Sequence, residues 1–369
     1  MQKWLHISVF SLMVVVLLTG CGKKAQAPAK PAAPAAGTPA APAPVGQEIK
    51  FAVNDPLPMG AKVGTISPDG TQIAIVANNR PFIVERLNPA TIQFQSTGML
   101  SSRDVPARPP VWSPDGMMVS FSGLADENNP GLTVLWNKTT NQEQFVRGLN
   151  HAVFSPTGRQ LMGSNPSEKV VAVVDLNTNG VRSFSWKTLN IPDGAIVDNF
   201  NWVDNSRVYF LVRSEGAPTD VYQINPGSGQ YAKVHSFNEA VGLMKISASF
   251  QQAAVTVLPT ENNNSKMMLL GLKDWKLIEA QNGMIGEGWD VYGKGLLVSE
   301  LANADAAPVL SHYEIEKRTK HALKAPDGKA IESETPPTLG KDGVVANGYV
   351  YGPPKPPPPA PPKQIKVVR

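Results

Sequence analysis

A single cysteine, Cys21, in 369 residues rules out an internal disulfide and any cysteine-built metal site. Aromatic residues make up only 7% of the chain and charged residues 17%. With a net charge of +4 and no basic run interleaved with aromatics, the sequence lacks the electrostatic footprint of a nucleic-acid binder. It has no Gly-x-Ser-x-Gly elbow, and hence no nucleophile of the α/β-hydrolase kind. The histidines of the main body, His151, His235, His312 and His321, are scattered, and none has a second histidine at metal-ligand spacing. Beyond residue 21 no stretch places apolar residues at helical spacing. Strands must therefore carry the fold.

The strands are marked by one turn. Ser113-Pro114-Asp115-Gly116 follows Trp112 and precedes the alternating run Met117-Met118-Val119-Ser120-Phe121-Ser122. Pro114 sets φ for a type I turn, Asp115 can bond its own backbone, and Gly116 accepts the left-handed conformation that closes a hairpin. The same device stands at Ser67-Pro68-Asp69-Gly70, and again at Ser155-Pro156-Thr157-Gly158; the three serines are 46 and 42 residues apart. Weaker copies occur around Asp204, Ser247, Asp290 and Asp342, each before an apolar run, which makes seven. Because Asp69 and Asp115 recur at one point of the repeat, they read as turn residues rather than metal ligands or catalytic acids. Trp112, Trp202 and Trp289 recur in register and read as packing between repeats.

A period in the forties with one turn-and-strand unit per period is the size of a four-stranded propeller blade. The Ser-Pro-Asp-Gly turn behind a Trp or Phe resembles the signature of the TolB-like β-propellers. That resemblance covers nearly everything from residue 48 onward and implies an all-β, seven-bladed β-propeller of four-stranded antiparallel blades. It also implies a role in envelope assembly, transport or cell-wall association. The nearest enzymes on similar propellers are prolyl-oligopeptidase-type peptidases, which need a separate hydrolase domain, and about 300 residues here are already used by the blades.

The first 21 residues hold a basic start, an apolar run and Leu18-Thr19-Gly20-Cys21. This resembles the lipobox of bacterial lipoproteins, in which the cysteine is lipidated and becomes the mature N-terminus, a membrane partner reached through acyl chains at about 0.8 kcal/mol per buried methylene. Gly22 follows where Asp tends to mean inner-membrane retention in Gram-negative lipoproteins, so the resemblance favours the outer membrane. Lys23 and Lys24 suit an anionic lipid surface. Residues 22–47, rich in Ala and Pro, read as a flexible tether. Residues 48–369 form the propeller, with 48–53 expected as the outermost strand of the seventh blade, 344–351 and 365–368 as late strands, and a Pro-rich insert at 353–362.

No cofactor is expected. The connections after the second strand of each repeat are polar and share one face, which makes Asp126, Glu127, Asn128, Arg213, Glu215, Glu261, Asn262 and Asp305 the candidate contacts for an envelope protein partner. The favoured function is a non-catalytic, membrane-anchored binding scaffold. The alternative is an enzyme or small-ligand binder using the central channel, against which stands an expected, mostly apolar lining at Val63, Val111, Ala152-Val153 and Asn199-Phe200-Asn201.

Overall fold

The computed structural model describes residues 44–88, 93–99, 105, 108–122, 131–260, 264–290, 294–300 and 307–353, without the side chains of 86–88 and 93–99. The signal and lipobox with Cys21, the tether up to residue 43, Asp126, Glu127, Asn128, Glu261, Asn262, Asp305, and residues 354–369 lie outside these.

The strands pair into seven sheets. Blade 1 holds Val63–Ile66, Gln72–Ala77, Arg80–Asn88 and Gln93–Met99. Blade 2 holds Val111–Trp112, Met118–Ser122, Leu132–Asn137 and Gln142–Arg147. Blade 3 holds Asn150–Phe154, Gln160–Asn165, Val170–Asp175 and Val181–Ser185. Blade 4 holds Ile196–Asp204, Arg207–Arg213, Thr219–Ile224 and Tyr231–Phe237. Blade 5 holds Val241–Ser247, Gln252–Val257, Lys266–Gly271 and Leu277–Asn282. Blade 6 holds Met284–Trp289, Gly295–Glu300, Val309–Glu314 and Thr319–Lys324. Blade 7 holds Thr338–Gly340, Gly343–Ala346 and Tyr349–Tyr351, joined by Asn54–Pro56. First strands of successive blades touch around the ring and so line its centre.

No core occupies that centre. The buried apolar residues fall into seven clusters, one between each pair of neighbouring blades. The period of two explains how one strand serves two of them. In blade 1, Ile73 and Ile75 enter the wedge shared with blade 7, while Ala74 and Val76 enter the wedge shared with blade 2. A strand buried on both faces reads as a continuous apolar run, as Ile73-Ala74-Ile75-Val76 does. A single turn of helix, Trp186–Leu189, interrupts the all-β pattern between blades 3 and 4 and buries Trp186 and Leu189 in the wedge there.

All seven turn copies join first to second strands. In each sharp copy the serine is buried and its hydroxyl holds the turn. Ser113 Oγ donates to Asp115 Oδ1 at 2.6 Å and accepts from Met118 N at 2.9 Å. Ser67 repeats this with Asp69 and Gln72 N, while Ser155 shares a hydrogen bond with the Thr157 hydroxyl and accepts from Gln160 N. The following glycines, Gly70, Gly116 and Gly158, have φ of +78°, +69° and +70°. Each lies against the turn of the preceding blade, Gly116 beside Pro68 and Gly158 beside the Asp115 carboxylate. The turns of blades 7, 1, 2 and 3 thus make a connected arc on one face. Antiparallel order then sends the second-to-third connections and the blade-to-blade links to the other face.

The expected closing strand is displaced. Asn54–Pro56, not 48–53, completes blade 7, antiparallel to Tyr349–Tyr351. Ile49–Lys50 instead adds a fifth strand to blade 6, parallel to its outer strand. The apolar residues Ile49 and Phe51 that suggested a strand are packed in the wedge between blades 6 and 7. Residues 44–47 continue this edge at its turn end: Val45 bridges Lys320, and Gly46 N donates to Lys320 O at 2.7 Å. Residues 344–351, read as one strand, are a hairpin bent at Asn347 and Gly348, both at positive φ.

Candidate functional site

Two surfaces suit a functional site: the loop face and the channel that opens on it. On the loop face, Glu215 is exposed in the connection after the second strand of blade 4. Arg213, expected as a loop contact, ends that strand and is bound inward, its guanidinium paired with the Asp198 carboxylate of the neighbouring first strand. The structure therefore separates the two residues that sequence had grouped.

The channel differs from expectation. Val63, Ala152 and Phe200 are turned into blade-to-blade wedges, not into an apolar lining. For Ala152 and Phe200 the reason is a slip in register; Val63 stands in a regular strand. The first strands of blades 3, 4, 5 and 6 each carry an irregularity, between Asn150 and Val153, Asp198 and Asn201, Val241 and Leu243, and Gly286 and Gly288. A bulge inserts one residue and inverts the side on which every later residue falls, so counting by twos misplaces the lining. Two bulge residues, His151 and Asn199, adopt φ of +54° and +55°. Left-handed backbone away from glycine is uncommon and collects where function constrains the chain.

Polar side chains tie these strands together. Asn199 Oδ1 accepts from Met244 N at 3.1 Å, and Asn201 Oδ1 accepts from Ile246 N at 3.0 Å while its Nδ2 donates to Met244 O. Trp112 and Trp289 donate their indole N–H to Thr65 O and Lys245 O of the preceding blade. The recurrent tryptophans therefore staple neighbouring blades, as their spacing implied; Trp202 packs into the same kind of wedge without such a bond.

Charges cluster here as well. Asp198 is almost fully buried and accepts from Asn199 Nδ2 at 2.9 Å in addition to Arg213. Arg213 keeps one buried donor, Nε, with no partner. Burial pushes the His151 imidazole below its ordinary value; Asp198 opposes this, and Arg108 and Arg213 reinforce it. On blade 5, burial likewise lowers Lys245, against the pull of Glu287. On blade 6, burial raises Glu287, opposed by the Ser299 hydroxyl, which donates to Oε1 at 2.5 Å, and by Lys245. All three groups are half-buried and stand on the first strands of their blades.

The remaining histidines sit farther out. His312 Nε2 meets Asp290 Oδ2 at 2.9 Å, where Asp290 also accepts from Lys294 N and so holds the sixth turn. His321 lies against Glu314 and the Gln47 carbonyl at the augmented edge of blade 6. His235 packs on Phe237 and Trp275. Among the described residues no three His, Cys, Asp or Glu side chains are grouped to hold a metal.

No protein-family model and no curated protein sequence matches the chain. Solved structures do. A protein described as a TolB, from Agrobacterium tumefaciens, aligns at 11% identity over 60% of this chain and 82% of its own, with a TM-score of 0.44. TolB from Acinetobacter baumannii aligns at 15% identity over 75% of this chain and 65% of its own, with a TM-score of 0.46. An oligogalacturonate lyase from Vibrio parahaemolyticus aligns at 13% identity, covering 67% and 75%, with a TM-score of 0.50. At these identities the likeness concerns the fold alone, and that fold is the seven-bladed β-propeller.

Proposed function

We propose that this chain is a non-catalytic scaffold of a bacterial cell envelope, tethered to a membrane through lipidated Cys21 and binding protein partners on the loop face of its propeller. One observation carries the reading. The chain joins the ring at the turn end of the blade 6 edge, while the second strands of blades 2, 5 and 6 end, at Ser122, Val257 and Glu300, on the opposite face. An anchor upstream of residue 44 therefore leaves the loop face free for a partner. The Leu-Thr-Gly-Cys motif supplies the anchor, and with Gly22 after it the outer membrane is the favoured address.

A photo-crosslinking residue placed at Glu215 in intact cells tests this, with Thr178, exposed on a third-to-fourth-strand turn, as control. Protein adducts are expected from Glu215 and not from Thr178, and the Cys21→Ser chain should leave the membrane fraction. Absence of adducts at Glu215, or equal labelling at both sites, overturns the scaffold reading. A second reading, a ligand-binding or catalytic channel, draws support from the polar wall formed by His151, Asp198, Lys245 and Glu287. Conversion of a substrate by the purified chain, lost on Glu287→Gln, would decide in its favour.

A further inference from the structure

Blade 7 is built from strands of three or four residues, against six in each of the four antiparallel strands of blade 6. At about 3.3 Å of rise per residue, its strands cannot cover the whole face that blade 6 turns toward them. A cavity of about 490 Å³ lies in the wedge between the two. Its wall includes Phe51, Leu297, Leu323 and Val344, all deeply buried members of that wedge's core. Gly340 and Gly343 border it with backbone alone. At the turn end, Lys294 and Asp342 are exposed and stand with Asp290 and His312 around the mouth.

Two of these polar groups are fixed in place. His312 Nε2 is 2.9 Å from Asp290 Oδ2, and Lys294 N donates to Asp290 Oδ1 at 2.8 Å. The Asp290 side chain is only 8% exposed and that of His312 18%. The imidazole has its place because residue 295 is glycine: a Cβ there would fall 2.5 Å from the ring's Cε1 and Nε2. A carboxylate offers about four acceptor positions, so Asp290 can still accept from one hydroxyl. We infer that this cavity is a binding site for a small uncharged alcohol, its apolar body seated on Phe51, Leu297, Leu323 and Val344 and its hydroxyl donating to the Asp290 carboxylate. The wall sets the body, since apolar surface taken from water is the main gain that such a pocket provides. The mouth sets the head. Two carboxylates, Asp290 and Asp342, against the one Lys294 ammonium disfavour an anion. A cation would give up hydration on entering the apolar wall, and an Asp290 already held by His312 and Lys294 N repays that only in part. A donor without charge avoids both costs. Because the mouth opens among the turns, on the face opposite the loops, the inference stands independently of the scaffold reading.

The test uses the full chain and four molecules that share one phenylalkyl body: phenylbutanol, its isomer phenylpropyl methyl ether, phenylbutyrate and phenylbutylamine. Binding is read by saturation-transfer NMR and by calorimetry. Leu339, half-buried on the first strand of blade 7, also lines the cavity, and a larger side chain there fills it. Saturable binding of phenylbutanol is expected, weakened about tenfold or more in Leu339→Trp. The ether keeps the size but has no donor and should bind several-fold more weakly, as should the acid and the amine. The inference is overturned when phenylbutanol does not saturate, when Leu339→Trp binds like the parent, or when the ether, the acid or the amine binds as well as the alcohol. Should Leu339→Trp not fold, the ring signals of His312 in the parent take its place. Phenylbutanol should shift them and leave those of His235, on the outer strand of blade 4, where they are; an unmoved His312 overturns the proposal.

Discussion

Ser113 shows how much a single side chain does in this chain. Its buried hydroxyl donates to Asp115 and accepts from Met118 N, so one residue closes a hairpin that the backbone alone leaves open. Ser113→Ala should cost about 1–2 kcal/mol, read from the midpoint of denaturant unfolding. Asp69 gives a pH signature. Burial raises its pKa, but hydrogen bonds from Ser67, from Thr71 N and Oγ1, and from Lys138 outweigh this and hold it well below the usual 3.8. Its contribution is thus present above 3.8 and lost as pH falls through the lower folded value, and Asp69→Asn should flatten that acid limb. Because Asp69 is half exposed, the effect is a fraction of a hydrogen bond's worth. Lys245 has the opposite sign. Its folded form gives up the proton more readily than the unfolded chain, so stability climbs as pH rises through the folded pKa toward 10.5. Lys245→Met should abolish that alkaline gain and raise the melting temperature at neutral pH, as replacing a buried charge with a well-packed apolar group often does. At this scale the turns were fully legible, since Ser, Pro, Asp and Gly each have a fixed conformational reason to stand where they do. His151, Lys245 and Glu287 were not, because nothing in an alternating run announces the bulge that reorders it.

Among the elements, the second strands are the most predictable and the closing strand the least. Ile73-Ala74-Ile75-Val76 is apolar throughout because both faces are covered, and sequence shows that directly. Asn54-Asp55-Pro56 carries no such pattern; its place in blade 7 is set by backbone pairing with Tyr349–Tyr351. Ile49 and Phe51, three to five residues upstream, look like the better strand because they fill the wedge beside it. The hairpin at Asn347-Gly348 was legible in principle, since Asn-Gly is the favoured two-residue turn between strands. Two truncations separate these roles. A chain beginning at residue 51 loses only the fifth strand of blade 6 and should unfold cooperatively, slightly earlier than the parent. A chain beginning at residue 58 also loses Phe51, Leu57 and the closing strand, and should melt about 10 °C or more below the parent, with a broadened transition by circular dichroism.

The molecule as a whole is a ring of seven interfaces rather than a body around a core. Each wedge is shared by two blades, so no blade can shed its apolar surface without exposing a neighbour's. That arrangement frees the centre for polar groups, which explains how Asp198, Lys245 and Glu287 can stand in the first strands without disrupting the fold. It also gives the ring one joint where the two ends of the propeller chain meet, closed by the pairing of Asn54–Pro56 with Tyr349–Tyr351 and by Phe51 and Leu57 in the wedges beside it. Traction applied upstream of residue 44 would fall first on the bonds from Gly46 to Lys320 and from Phe51 to Lys324, and only then on those from Asn54–Pro56 to blade 7. Stretched from its leash, the protein should yield in two ordered steps, a small release at the sixth blade and then the parting of the circle, which single-molecule force spectroscopy can resolve as two extensions of unequal length.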